Sequence, residues 1–177
     1  LVTGVQTCAL PICHGWSGCG VMDSSATHEF IRKRHVAGTT FASTRTVLDY
    51  AEAGVQVTDE PVAAGGDGSG PTPLQSVLGA LCGREAVTFR RTATEWDFPY
   101  ERIDFEASGT IDIRGRSGDR SVRPHFQSVK LLARVRSSST QQKLEELVEE
   151  VEARCPVLNL MKDAGVRLDI RWEVVAP

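Results

Sequence analysis

The sequence predicts an α+β fold, because its helix-like and strand-like segments come in groups instead of alternating along the chain. Residues 102–114 and 126–136 carry an apolar side chain at every second position, which predicts two long strands joined by a polar turn. Residues 74–96 and 139–155 carry apolar side chains three or four positions apart, which predicts two helices. We therefore expect an antiparallel sheet with a buried central helix and a second, amphipathic helix.

The first 21 residues are set apart from the predicted fold. Residues 1–12 match the conceptual translation of a common sequencing-library adapter, and residues 13–21 are interpreted as read-through before Met22. Residues 1–21 contain no Lys or Arg, which a secretory signal needs at its N-terminal end. Residues 22–177 are expected to form a single domain, which is long enough to bury a core.

Composition and cysteine usage exclude several classes of partner. A net charge of −3 gives no cationic field to attract nucleic acid, and no apolar run is long enough to suggest a membrane partner. The cluster Cys13, His14 and Cys19 has no Cys-x2-Cys pair, so neither a metal nor another cofactor is expected. Cys82 and Cys155 remain, and two thiols without an export signal indicate a cytoplasmic setting.

The N-terminal part of this domain predicts three strands followed by an irregular loop. Residues 28–36, 39–50 and 54–58 are rich in β-branched or alternating apolar residues. Residues 65–73 are rich in Gly and Pro and precede a helix, the usual place for a phosphate-binding loop. The loop lacks both Gly-Lys-Ser/Thr and Gly-x-Gly-x-x-Gly, so no nucleotide is expected there.

The central helix is predicted to be buried mainly in its first half. Apolar residues recur there at helical spacing, namely Leu74, Val77, Leu78, Leu81 and Cys82, and the residues Gly79, Ala80 and Gly83 beside them are small. From Arg84 to Trp96 the sequence gains charge, which predicts that this half lies at the surface.

The second helix has a predicted start and end. Ser139 and Gln142 have the spacing of a capping box, and Cys155-Pro156 interrupts the helical pattern. A short helix to about residue 162 and a final strand over residues 166–175 are expected to follow.

Several short motifs together resemble a known family. They are Asp59-Glu60-Pro61, Gly65-Gly66, Gly70-Pro71-Thr72-Pro73-Leu74, Ala80-Leu81-Cys82-Gly83 and Arg154-Cys155-Pro156-Val157. In this order and spacing the chain resembles the OsmC/Ohr family of small bacterial peroxide-handling proteins, over residues 28–175. The resemblance implies an intertwined homodimer in which two cysteines reduce organic hydroperoxides, with small dithiols or lipoylated proteins as reductant.

One of the two family cysteines is replaced in this chain. Cys155 matches the second thiol, whereas the position of the first, reactive thiol is Arg84. Cys82 is two residues away, about 200° around a helix, and cannot simply substitute. The family also favours a Glu just after the position of Pro73, where this chain has Leu74 and Gln75.

The candidate site residues are Cys155, Cys82 and Arg84. Peroxide reduction starts with a thiolate that attacks the O–O bond, and Arg84 cannot perform that step. Pro156 is expected to open a helical turn, so the helix dipole would lower the pKa of Cys155, and a facing Arg84 would lower it further.

Three interpretations remain open. The first is a catalytic or redox-sensor role through Cys155, with Cys82 as a strained partner. The second is a non-catalytic module that binds a small apolar ligand or serves a structural role. The third is a base error at codon 84, since Cys and Arg codons differ by one base. The family resemblance favours an oxidative-stress protein that reduces organic hydroperoxides.

Overall fold

The computed structural model describes residues 30–177. The interpretation of residues 1–21 as non-native sequence, the cluster of Cys13, His14 and Cys19, and the start of the first predicted strand lie outside the described residues. Residues 36–177 form one compact unit, and the account below concerns this unit.

A small sheet comes first and consists of three antiparallel strands in chain order: β1 (Ala37–Thr40), β2 (Thr46–Asp49) and β3 (Val55–Thr58). The prediction for residues 54–58 is confirmed, but residues 31–36 form no strand and the single strand predicted over 39–50 is two strands. The chain reverses at residues 41–45, where the Thr40 hydroxyl donates to the carbonyls of Ser43 and Arg45 (3.0 Å each).

The larger sheet is mixed, with the order β4 (Arg102–Ile111), β5 (Phe126–Arg136) and β6 (Arg167–Val175). The predicted antiparallel pairing of β4 with β5 is confirmed. β4 ends earlier than expected, because Asp112 caps a short helix, α2 (Ile113–Arg116). β6 pairs with β5 in parallel, since the intervening chain crosses back through helices before β6 begins.

Three further helices cover this sheet: α1 (Pro73–Glu95), α3 (Gln141–Arg154) and α4 (Pro156–Asp163). α1 packs against β4, α3 and α4, and α3 also packs against β6. The capping residue of α3 is Thr140 and not Ser139, because the Thr140 side chain is the one that accepts from the Lys143 amide (3.3 Å).

The burial of α1 is the reverse of the prediction. Its buried residues all come from position 81 onward: Leu81, Glu85, Thr88, Phe89, Thr92 and Ala93. The first half exposes Val77, Gly79 and Ala80, and the Val77 side chain is 41% exposed. The second half is buried because its apolar stripe packs against the core, whereas a Cβ at Gly79 or Gly83 would meet no described atom within 4 Å.

The observed fold confirms the predicted α+β class. Alternate residues of β5, namely Val129, Leu131, Ala133 and Val135, lie in the core between the larger sheet and the helices. None of the helices within residues 30–177 combines the length and the apolar character that a membrane crossing requires.

Candidate thiol site

Cys155 lies in the core at the junction of α3 and α4. It ends α3 and is the N-cap of α4, with Pro156 at the first helical position, as the sequence predicted. Its sulfur accepts a hydrogen bond from the Leu158 amide (3.5 Å), so the thiol takes the place of an oxygen-bearing capping side chain. The residue is fully buried.

Glu85 is a buried carboxylic acid on α1 next to this thiol. Neither carboxyl oxygen has a hydrogen-bond partner among the described residues, and the side chain is fully shielded from solvent. Burial raises the pKa of Glu85 to about 7, because a charge is costly in an apolar interior. The Cys155 thiol partly offsets this by favouring the carboxylate, although its contact falls short of hydrogen-bond geometry.

The pKa of Cys155 is raised to about 11, mainly by burial and then by the neighbouring Glu85 carboxyl. The net shift is therefore opposite to the predicted direction, and Arg84 is not among the groups that change this pKa. The amides of Leu158 and Val157 do favour the thiolate, as expected for a helix start, but burial and a nearby anion outweigh them.

Arg84 lies beside this pair and not at its centre. Successive residues of an α-helix point about 100° apart, and on α1 it is Glu85 whose side chain acts on the Cys155 thiol. Arg84 is partly buried and lines a separate cleft with Arg154, and its Nε atom is buried without a partner.

Cys82 is a half-buried thiol on α1, and both Cys82 and Cys155 are free cysteines. Burial raises the pKa of Cys82, and the charge of Glu85 raises it further, although a backbone hydrogen bond acts in the opposite direction. Glu85 therefore acts on both thiols that the sequence singled out.

Sequence reasoning did not select Glu85, although a signal for it is present. Leu81, Glu85 and Phe89 follow one another at i, i+4 and i+8, so a carboxyl group occupies the apolar stripe of a core helix. An unpaired acidic residue at such a position is costly and is often functional.

A second polar residue, Asp59, organises the loop before α1. Its buried carboxylate accepts hydrogen bonds from the Thr44 hydroxyl (2.7 Å), the Glu60, Asp67 and Ser69 amides and the Ser69 hydroxyl. These donors, with the Thr44 hydroxyl foremost, hold the pKa of Asp59 well below its usual range.

Gly66 belongs to the same loop. A Cβ there would fall 1.9 Å from the Glu60 carbonyl oxygen, so only glycine fits. We infer that the Asp59-Glu60-Pro61 and Gly65-Gly66 motifs serve the loop conformation.

The start of α1 explains Gln75. Its side-chain oxygen accepts from the Thr72 amide (2.8 Å), and its own amide donates to the Thr72 hydroxyl (3.2 Å). Gln75 thus completes a capping box at the position where a carboxylate partner for the site was expected. Among residues 30–177, His, Cys, Asp and Glu side chains form no group of three or more that could hold a metal ion.

Comparison with known proteins shows the family. The model of the family described as OsmC-like protein matches residues 66–171, and the chain belongs to this family. No curated protein matches the sequence.

Solved structures show the same fold at low sequence identity. An OsmC-like protein from Mycoplasma pneumoniae is similar with a TM-score of 0.71 and 14% identity, covering 81% of this chain and 98% of that chain. An organic hydroperoxide resistance protein OsmC from Legionella pneumophila is similar with a TM-score of 0.60 and 15% identity, covering 81% of this chain and 98% of that chain. The organic hydroperoxide resistance protein OhrB of Bacillus subtilis is similar with a TM-score of 0.55 and 16% identity, covering 80% of this chain and 98% of that chain.

Proposed function

We propose that this chain is a bacterial, cytoplasmic oxidative-stress protein that reduces organic hydroperoxides by thiol chemistry at Cys155. The observation that carries the proposal is the buried pair of Cys155 and Glu85, in which a thiol adjoins a carboxyl group with a pKa of about 7. Such a carboxyl is half ionised near neutral pH and can therefore accept a proton from the thiol. Two similar structures of the same fold are named as organic hydroperoxide resistance proteins.

The reaction balances with a dithiol as reductant. Glu85 takes the thiol proton, the Cys155 sulfur attacks the peroxide, an S–O bond forms and the O–O bond breaks. Glu85 returns the proton to the departing alkoxide, which leaves as an alcohol. A small dithiol or a lipoylated protein then reduces the sulfenic acid to the thiol, releasing water and becoming a disulfide.

Two features limit the rate of this reaction. Cys155 is fully buried and its pKa is about 11, so little thiolate is present at neutral pH. Arg84 occupies the family's position for the attacking thiol and cannot take that role. We therefore expect weak turnover, with Cys82 contributing at most as a resolving thiol.

The test is consumption of cumene hydroperoxide with dihydrolipoamide as reductant. We expect Arg84→Cys to raise turnover strongly and Cys155→Ser to abolish the residual activity. Arg90→Cys is the matched control, because Arg90 is an exposed arginine on the same helix. If Arg84→Cys consumes no more peroxide than the parent or the control, the assignment of position 84 is wrong.

We also propose a homodimer as the functional form. The open face of α1 supports it, because Val77 and Val87 are 41% and 42% exposed there. Gly79 and Gly83 on this helix have no neighbour near the position of a Cβ, so they leave room for close approach of a second helix.

A non-catalytic role is the second candidate, as a module that binds a small apolar ligand or serves a structural function. The high pKa and full burial of Cys155 favour it, since both suit an inert core thiol. Retention of an apolar ligand that is unchanged after alkylation of Cys155 would support this role over the redox one.

A further inference from the structure

A cleft between α1 and the end of α3 carries more positive charge than the chain neutralises. It encloses about 200 Å³, and the side chains around it come from one face of α1 and from α3: Arg84, Thr88, Arg91, Thr92, Glu95 and Arg154. Three guanidinium groups and one carboxylate therefore surround one small space.

Arg154 is already engaged by two carboxylates. It donates to Glu95 through Nη1 and to Glu150 through Nε, so its single charge is shared between two anions. The ion pair also occupies the carboxylate of Glu95, which would otherwise repel an anion.

Arg84 and Arg91 have no counter-charge in the part of the chain that the structure describes. Neither makes an ion pair with an acidic side chain among residues 30–177. The Arg84 Nε atom is shielded from solvent and has no hydrogen-bond partner among these residues, which is costly for a charged donor. Seven residues separate the two arginines, which places them on the same side of α1, two turns apart.

The two threonines of the cleft form part of its wall and have no hydroxyl proton left to donate to a ligand. The hydroxyls of Thr88 and Thr92 donate to the carbonyls of Arg84 and Thr88, at 2.9 and 3.1 Å. Their protons are thus committed to the helix backbone, and recognition of a ligand falls to the guanidinium groups.

We propose that this cleft binds a phosphate group, with Arg84 and Arg91 as its two cationic ligands. Guanidinium donates to oxyanions in a planar fork, and two guanidinium groups without an ion pair suit a doubly charged phosphate better than a singly charged carboxylate. The cleft is distinct from the thiol site, so the proposal does not depend on peroxide reduction.

The experiment is a titration of the full-length protein with inorganic phosphate, measured by calorimetry and by thermal unfolding against KCl at equal ionic strength. We expect saturable binding that stabilises the parent and is weakened about tenfold or more in Arg84→Gln and in Arg91→Gln. Arg90→Gln removes the same charge from an exposed neighbouring position and is expected to bind like the parent.

The outcomes separate the sources of the phosphate group. Tighter binding of glycerol 3-phosphate than of inorganic phosphate would identify a phosphate ester as the ligand, and equal binding would identify the free ion. Arg91 is exposed, so Arg91→Gln tests the site even if Arg84→Gln unfolds the protein. Equal weakening in all three variants, or no saturable binding by the parent, would overturn the proposal.

Discussion

Glu85 and Cys155 come from different helices, are buried together, and shift each other's pKa in opposite directions. Burial, and after it the carboxyl, raise the pKa of the thiol to about 11, whereas the thiol partly lowers the pKa of a carboxyl that burial has raised to about 7. On raising the pH, the carboxyl therefore loses its proton long before the thiol does. Near neutral pH the negative charge of the pair lies on Glu85.

The first prediction concerns the pH dependence of stability. The pKa of Glu85 rises from 4.5 to about 7 on folding, so the folded state holds the proton more tightly than the unfolded state. The contribution of Glu85 to the free energy of unfolding is then fully present below about pH 4.5 and is lost as the pH rises through about 7. A shift of this size corresponds to about 3 kcal/mol of unfolding free energy between these limits.

Chemical denaturation from pH 4.5 to 8 measures this effect. Glu85→Gln should lose the decline, whereas Glu149→Gln, an exposed change on α3, should retain it. An equal decline in the parent and in Glu85→Gln would show that another group is responsible.

The second prediction concerns thiol reactivity. In the native protein at pH 7, iodoacetamide should modify the half-buried Cys82 faster than the fully buried Cys155, and both slowly. Because Glu85 raises the pKa of both thiols, Glu85→Gln should increase both rates severalfold. Mass spectrometry of digested samples gives each rate separately, and faster modification of Cys155 than of Cys82 in the native protein would contradict the observed burial.

The third prediction concerns the loop before α1. Asp59→Asn should lower Tm by several degrees at neutral pH, because an amide cannot accept all the hydrogen bonds that the Asp59 carboxylate receives. The pKa of Asp59 is depressed, so this contribution is present above pH 4 and is lost as the pH falls further. Asp67→Asn makes the same change at an exposed position of the loop and should leave Tm unchanged. Equal Tm values for the two variants would contradict a structural role for the Asp59 carboxylate.

The fourth prediction tests the proposed homodimer. Gly79→Leu adds bulk where no atom of residues 30–177 lies within 4 Å of the Cβ position, so it should leave the isolated subunit folded and improve helix propensity. If a second copy packs there, the variant should dissociate at concentrations where the parent is dimeric, as measured by sedimentation velocity. Ala153→Leu, on the exposed side of α3, is the control and should sediment like the parent. A parent that sediments as a monomer would contradict the proposal directly.

Local patterns predicted most of the elements near their observed bounds. The strand over residues 126–136 was predicted correctly, and the helix predicted over 74–96 spans Pro73–Glu95, because alternation and helical spacing are properties of short segments. The errors have two sources. The strand predicted over 39–50 is broken by a local turn at residues 41–45, whereas β6 joins the sheet in parallel because of the path taken by α3 and α4.

The sequence by itself determined the α+β class and the family. It also determined that Cys155 lies at the start of a helix, because Pro156 suits the first helical position. Only the tertiary structure decided which half of α1 is buried and that Glu85, rather than Arg84, acts on Cys155. It also showed that the pKa of Cys155 is raised, whereas the sequence had predicted that it would be lowered. The physical reason is that a pKa depends on dehydration and on the charges nearby, and both are set by side chains about 70 residues away in the sequence.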